Sequence, residues 1–307
     1  MRCFVTGATG FIGSYLVRRL LSEGADVAVL MRSTSNPWRI ADILSETEII
    51  YGDLGSIDQI NERVKSFSPD KIFSLAWHGV GNQHRNEISQ IQNLYSSLTL
   101  LILANECGCD QFIGLGSQAE YGPYNNSIRE DFHPNPTTLY GATKLATCQV
   151  SMKLSEIFKL RFAWLRLFSS YGPRDDPNWL LPYIILKLFR GEKPALTRGE
   201  QLWDYIFVED VADAIWQVSC SPKAEGIFNL GSGEVHTIKS IIENVRDLIN
   251  PELPLGFGEV PYRPDQVMIL QADISRLQHI DWTPKVDLKR GLQRTVNWFI
   301  ENIDKYK

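Results

Sequence analysis

Cysteine is scarce and shows no pairing pattern. The five, Cys3, Cys107, Cys109, Cys148 and Cys220, are odd in number and scattered over the 307 residues. The close pair Cys107 and Cys109 has no second half at zinc-like spacing, so no disulfide framework and no metal site is expected. No block of lysine and arginine stands out. Acidic residues outnumber basic ones 36 to 31, for a formal charge of −5, which excludes nucleic acid and anionic membranes as the main partner. Long apolar runs are also missing. The longest, LLPYIILKLF over 180–189, is broken by Pro182 and Lys187 and falls short of the ~18 residues that span a bilayer. The opening Met1-Arg2-Cys3-Phe4-Val5 lacks the basic, apolar and small-residue pattern of a secretion signal, and the expected location is the cytoplasm. There is no internal repeat and no low-complexity linker.

What the chain does have is alternation. Short apolar runs, CFVTG (3–7), DVAVLM (26–31), EIIYGDL (48–54), KIFSLA (71–76), QFIGLGS (111–117) and FAWLRLF (162–168), are separated by longer amphipathic stretches. Strands that are apolar along their whole length suit burial on both faces. The pattern predicts an α/β fold, a doubly wound parallel sheet of the Rossmann type with a smaller, interleaved C-terminal substrate lobe. The expected division is a dinucleotide-binding domain over 1–170, sheet extensions from about 203–232, and a substrate lobe built mostly from 171–307. Ligands of such folds bind beyond the carboxyl ends of the strands.

The first run leads into Gly7-Ala8-Thr9-Gly10-Phe11-Ile12-Gly13 and then a helical pattern. Such a loop gives a tight turn, close backbone approach to a pyrophosphate, and a helix N-terminus with free N–H groups for the phosphates. The spacing is G-x-x-G-x-x-G. TGATGFIGS resembles the cofactor loop of the extended short-chain dehydrogenase/reductases, the NAD(P)-dependent nucleotide-sugar epimerases, dehydratases and reductases. The second run ends Met31-Arg32-Ser33 with no acid at its tip. An acid there would bind the ribose 2′-OH of NAD, whereas Arg32 and Ser33 suit the 2′-phosphate. NADP(H) is therefore the preferred cofactor and NAD the alternative. Asp53 resembles the family's adenine-contacting acid. By the same resemblance Leu54, Leu75, Ala76, Trp77 and Phe168 join the cofactor wall.

Tyr140-Gly-Ala-Thr-Lys144 carries the chemistry. On a helix, i and i+4 share a face. A phenol with a pKa near ~10 needs a nearby cation to work at neutral pH. The resemblance gives Lys144 a second task, holding the nicotinamide ribose. Aligned on Tyr121-Gly122, Ser117 falls at the family's catalytic Ser/Thr position, where its hydroxyl would hold the oxygen of the reacting carbon. The family's 4,6-dehydratases carry an Asp-Glu pair at the next two positions. This chain has Gln118 and Ala119, which cannot do that acid-base work. The outer face of the same helix, Ala142, Ala146, Val150, Leu154 and Ile157, is an apolar stripe suited to packing or to a dimer interface.

The resemblance covers nearly the whole chain. LRLFSSYGPR (165–174) is similar to the family's LRxFNxYGPR, with Ser169 in place of the asparagine. WDYIFVEDVADA (203–214) is similar to RDFxxVDDVAxA, with Trp203 in place of the arginine. Arg263 in PYRPDQV matches the arginine that clamps the substrate diphosphate. His78, beside Trp77, and Gln118 are the other candidate substrate contacts. The implied activity is NADPH-dependent reduction of the C4 keto group of a nucleotide-diphosphate 4-keto-6-deoxy sugar, with the proton from Tyr140. The alternative is an NAD-dependent nucleotide-sugar 4-epimerase. A homodimer is implied by resemblance alone.

Overall fold

The computed structural model describes residues 1–263 and 266–306. In the first half, strands and helices alternate as β1 (Arg2–Thr6), α1 (Phe11–Ser22), β2 (Asp26–Met31), β3 (Glu48–Tyr51), α2 (Asn61–Phe67), β4 (Lys71–Ser74), α3 (Gln90–Glu106), β5 (Gln111–Ser117), α4 (Leu139–Phe158) and β6 (Arg161–Leu167). Beyond them come β7 (Ser170–Tyr171), α5 (Leu180–Phe189), β8 (Ala195–Leu196), β9 (Leu202–Trp203), β10 (Ile206–Phe207), α6 (Val208–Cys220) and β11 (Gly226–Leu230). The chain continues with β12 (His236–Thr237), α7 (Ile238–Ile249), β13 (Gly256–Phe257), β14 (Ile269–Leu270), α8 (Ser275–Gln278) and α9 (Leu288–Glu301).

The central sheet has seven strands in the order β11-β6-β5-β4-β1-β2-β3, and every pairing is parallel. Val5 pairs with Val29 on one side and Phe73 on the other. The order reverses between β1 and β4, which opens a crevice at the strand ends. Of the 203–232 stretch, Gly226–Leu230 joins this sheet as β11. Leu202–Trp203 and Ile206–Phe207 instead pair in small sheets with β12 and β14 and with β7.

Both faces of the sheet are covered, as its unbroken apolar strands require. Leu16, Leu20, Ile215 and Val218, from α1 and α6, pack on one face. Ile60, Val64, Leu100 and Leu103 pack on the other with Trp164. A separate cluster, including Leu181, Ile184, Ile241, Val245, Leu292 and Phe299, gives the C-terminal part its own core. Among the described residues no helix is long and apolar enough to cross a membrane.

The helix α4 inverts the usual pattern. Its buried face carries small polar groups, Thr143, Thr147, Ser151 and Ser155, and its outer face exposes Val150 and Ile157. The adjoining helix α3 exposes Ile91 and Tyr95.

Candidate active site

The loop from β1 to α1 is fixed by backbone contacts that only glycine allows. Gly7 sits at φ +77°, and a Cβ there would meet the Ala76 nitrogen at 2.8 Å. A Cβ on Gly13 would meet the Gly7 oxygen at 2.1 Å. The helix thus packs directly on the turn. No side chain caps its N-terminus at Gly10, which leaves the first amides for an anionic ligand. These features fit a dinucleotide pyrophosphate.

From this loop a cleft of about 1720 Å³ runs across the strand ends. It is lined by Gly7, Thr9, Gly10, Phe11, Ile12, Gly13, Arg32, Asp53, Leu54, Leu75 and Ala76 on the side of the glycine loop. Trp77, His78, Ser117, Gln118, Tyr140, Lys144, Phe168, Ser169, Trp203 and Arg263 also line it. The cleft therefore gathers the candidate residues into one cavity, with the exception of Ser33, which lies exposed at the end of β2 and is not among the lining residues. Arg32 is also exposed, and its Nε lies 4.0 Å from Asp53. That carboxylate also accepts from the Gly55 amide at 2.7 Å.

Ser117 ends β5 and caps the short turn after it. Its Oγ accepts from the Ala119 amide at 3.2 Å, and Glu120 reaches back to accept from the Ser117 amide at 2.9 Å. Glu120 points into the protein, away from the cleft. It is fully buried and pairs with Arg166, itself 2 % exposed, over 2.7 Å. Its other oxygen accepts from Trp164 Nε1 at 2.9 Å. The serine is therefore held from behind by a buried ion pair that no local spacing reveals.

Tyr140 opens α4, whose N-cap Thr138 accepts from the Gly141 amide at 3.1 Å. Burial pushes the Tyr140 phenol up, while a hydrogen bond with Ser117 and the charge of Arg85 pull it down. The Arg85 guanidinium lies 5.2 Å from the centre of the Tyr140 ring, and its carbonyl accepts from the Tyr140 amide at 2.8 Å. Lys144 donates to the Leu115 carbonyl at 2.5 Å. Burial lowers it from the usual lysine range to about 7, and Glu120 opposes that shift. The cation acting on the phenol in this arrangement is Arg85, because Lys144 is turned toward Leu115 and Trp77.

The substrate end brings two unusual residues together. Trp203 Nε1 donates to Ser169 Oγ at 2.8 Å. His78 is exposed, and its backbone is bracketed by Asn93, which accepts from its amide at 2.8 Å and donates to its carbonyl at 3.0 Å. Arg263 is exposed on the cleft wall. Arg85, Gln90, Asn93 and the buried Asp175, which are not among the residues expected from sequence, also line the cleft or lie next to it. No motif spacing marks them, since each acts across a turn or a helix face.

The model of the NAD dependent epimerase/dehydratase family matches residues 3–231. The UDP-glucose 4-epimerase of Halalkalibacterium halodurans is 28% identical over 331 residues, covering 98% of this chain and 96% of that one. The structure of UDP-N-acetylglucosamine 4-epimerase from Methanobrevibacter ruminantium in complex with UDP-N-acetylmuramic acid superposes with a TM-score of 0.90, 28% identity and 98% coverage of both chains. The Thermus thermophilus UDP-glucose 4-epimerase complex with NAD gives a TM-score of 0.87 at 25% identity, covering 98% of this chain and 100% of that one. With its seven-stranded parallel sheet and glycine-lined cleft, the chain belongs to the NAD dependent epimerase/dehydratase family of enzymes acting on nucleotide sugars.

Proposed function

We propose that this enzyme inverts C4 of a UDP-linked sugar and keeps NAD bound through the cycle. One observation carries the reading. Ser117, Tyr140 and Lys144 share the cleft with the glycine loop, while the two positions after Ser117 hold an amide and a methyl. Those side chains lack the acid-base capacity that water elimination needs. The 4-epimerases among its relatives support both the reaction and the nucleotide.

The nicotinamide, when bound, supplies reversible two-electron chemistry at the sugar carbon. The chain supplies the rest. Tyr140 takes the C4 hydroxyl proton and returns it after the sugar has turned. Ser117 hydrogen-bonds the same oxygen and holds it beside the phenol. Arg85 adds the positive charge that favours phenolate, and Lys144 would hold the nicotinamide ribose. Arg263 pairs with the diphosphate, leaving the hexose free to rotate. The uncapped amides of α1 would hold the dinucleotide pyrophosphate, and Asp53 would contact the adenosine.

NAD is the proposed cofactor because a similar structure is a complex with NAD. A second reading, NADPH-dependent reduction of a nucleotide 4-keto-6-deoxy sugar, is favoured by one feature. The strand β2 is followed by Arg32 and Ser33, side chains that suit a 2′-phosphate. The exposed Ile91, Tyr95, Val150 and Ile157 on α3 and α4 further support a homodimer in which a second copy covers this face.

The test is to incubate purified protein with UDP-hexoses and UDP-N-acetylhexosamines without added cofactor, and follow C4 inversion by proton NMR. Appearance of the C4 epimer supports the reading. NADPH consumption on 4-keto-6-deoxy sugars with no epimer formed favours the reductase instead.

A further inference from the structure

Lys144 is 4 % exposed and, among the described residues, has no carboxylate partner within ion-pair distance. Of the described acids, Glu120 acts on it electrostatically, and Glu120 is already bound to Arg166. A buried ammonium without a counter-charge is costly. What the structure puts around it is two indoles, Trp164, its ring centre 5.6 Å away, and, much closer, Trp77. Lys144 Nζ lies 3.7 Å from the centre of the Trp77 ring. The same ring meets Tyr140 edge to face, at 6.1 Å and 87°. Trp77 thus touches both residues of the Tyr-x-x-x-Lys pair.

The indole is itself fixed. Its Nε1 donates to Gln90 Oε1 at 2.9 Å, and Gln90 is fully buried. Gln90 Nε2 donates to the carbonyls of Gly79 at 2.8 Å and His84 at 3.1 Å. Asn93 Nδ2 donates to Gln90 Oε1 at 3.3 Å and to the His78 carbonyl. Two amide side chains at the start of α3 therefore hold the loop after β4 in place and aim the Trp77 ring under Lys144. An ammonium has three donors. Leu115 takes one, which leaves the others for the indole face and the cleft.

We propose that Trp77 is a positioning residue, an aromatic seat that keeps the Lys144 ammonium charged and aimed into the cleft without a carboxylate partner. Trp presents the strongest aromatic face for a cation, and the attraction grows when both groups are desolvated. The inference rests on the proposed roles of Tyr140 and Lys144. The charged and titratable groups around the ammonium are few. They are Glu120 after β5, bound to Arg166 of β6, Tyr140 one turn earlier, with Arg85 over its ring, and Cys148 one turn later, its thiol raised by burial. The exposed His78 neighbours Trp77 in sequence.

The test compares wild type with Trp77→Leu, which keeps apolar bulk but removes the π face, and Trp77→Phe, which keeps a weaker one. The purified full chain is pulsed with trace acetic anhydride across pH, with and without NAD, and Lys144 labelling is read by mass spectrometry. The kcat/KM profile on the UDP-sugar is measured in parallel. In Trp77→Leu the apparent pKa of Lys144 falls by about one unit and the activity profile moves toward acid. Trp77→Phe restores part of both. If Trp77→Leu does not fold, wild type against Trp77→Phe carries the same comparison with a smaller shift. Unchanged Lys144 titration in a folded variant overturns the proposal. The labelling readout does not depend on turnover, so a failure of the Tyr140 role and a failure of the Trp77 seat give different results.

Discussion

Trp203 donates its indole N–H to the Ser169 hydroxyl across 2.8 Å. These are two places where the chain departs from the arginine and asparagine of its family, and in the structure they are one contact. The pair puts an indole, held by a hydroxyl, on the wall of the cleft. The two positions are expected to act as a unit. Trp203→Arg alone and Ser169→Asn alone each raise KM for the UDP-sugar. The double substitution costs less than the sum, with a coupling of about 0.5–3 kcal/mol. A double-mutant cycle on KM measures it, and strict additivity contradicts the coupling.

Glu120 and Arg166 form a buried pair behind Ser117. Removing one member strands the other. Glu120→Ala leaves a guanidinium that is 2 % exposed without its carboxylate, and is expected to cost about 3–5 kcal/mol of stability. The urea midpoint falls at unchanged m-value. Glu120→Gln keeps an oxygen for the Ser117 amide and costs less.

Asp175 makes an acid-range prediction. Burial pushes its carboxyl well above the usual carboxylate range. At pH values between the unfolded and native values, the native state therefore binds more protons than the unfolded chain. Stability contributed by this group is present below the unfolded pKa of ~3.9 and falls as pH rises through the native value. At neutral pH the charged form is a liability. Asp175→Asn keeps an oxygen to accept from the Asp176 amide. It is expected to raise Tm at pH 7 and to flatten the decline in Tm between pH 4 and 7. A Tm series against pH checks both.

Gly13 tests the cofactor seat. A methyl there falls 2.1 Å from the Gly7 oxygen and must push α1 away from β1. Overpacking of this kind costs about 1–3 kcal/mol, so Gly13→Ala should weaken NAD binding roughly ten- to hundredfold. Isothermal titration reads it directly.

The parts of this site that the sequence makes legible are the local ones. The glycine loop lies within seven residues, and Tyr140 and Lys144 share one helical turn. Five of the six strands of the first half are marked by apolar runs because both their faces are buried, while β3, at the sheet edge, is largely exposed. What stays hidden depends on distance along the chain. The Trp77 seat joins residues 67 apart, and the pair of Glu120 with Arg166 joins residues 46 apart. The two-residue strands β7, β9 and β10 carry no periodicity to read. Ser169 and Trp203 each stand out as departures from the family pattern, but only the fold brings them into contact.

Tyr140 is the group proposed to move the C4 hydroxyl proton. The direct test is Tyr140→Phe, assayed for C4 inversion of a UDP-sugar by NMR alongside NAD affinity and far-UV circular dichroism. The prediction is a fall in kcat of about 10²–10⁴-fold with NAD affinity and fold unchanged. Turnover close to wild type in a folded, NAD-binding Tyr140→Phe would contradict it.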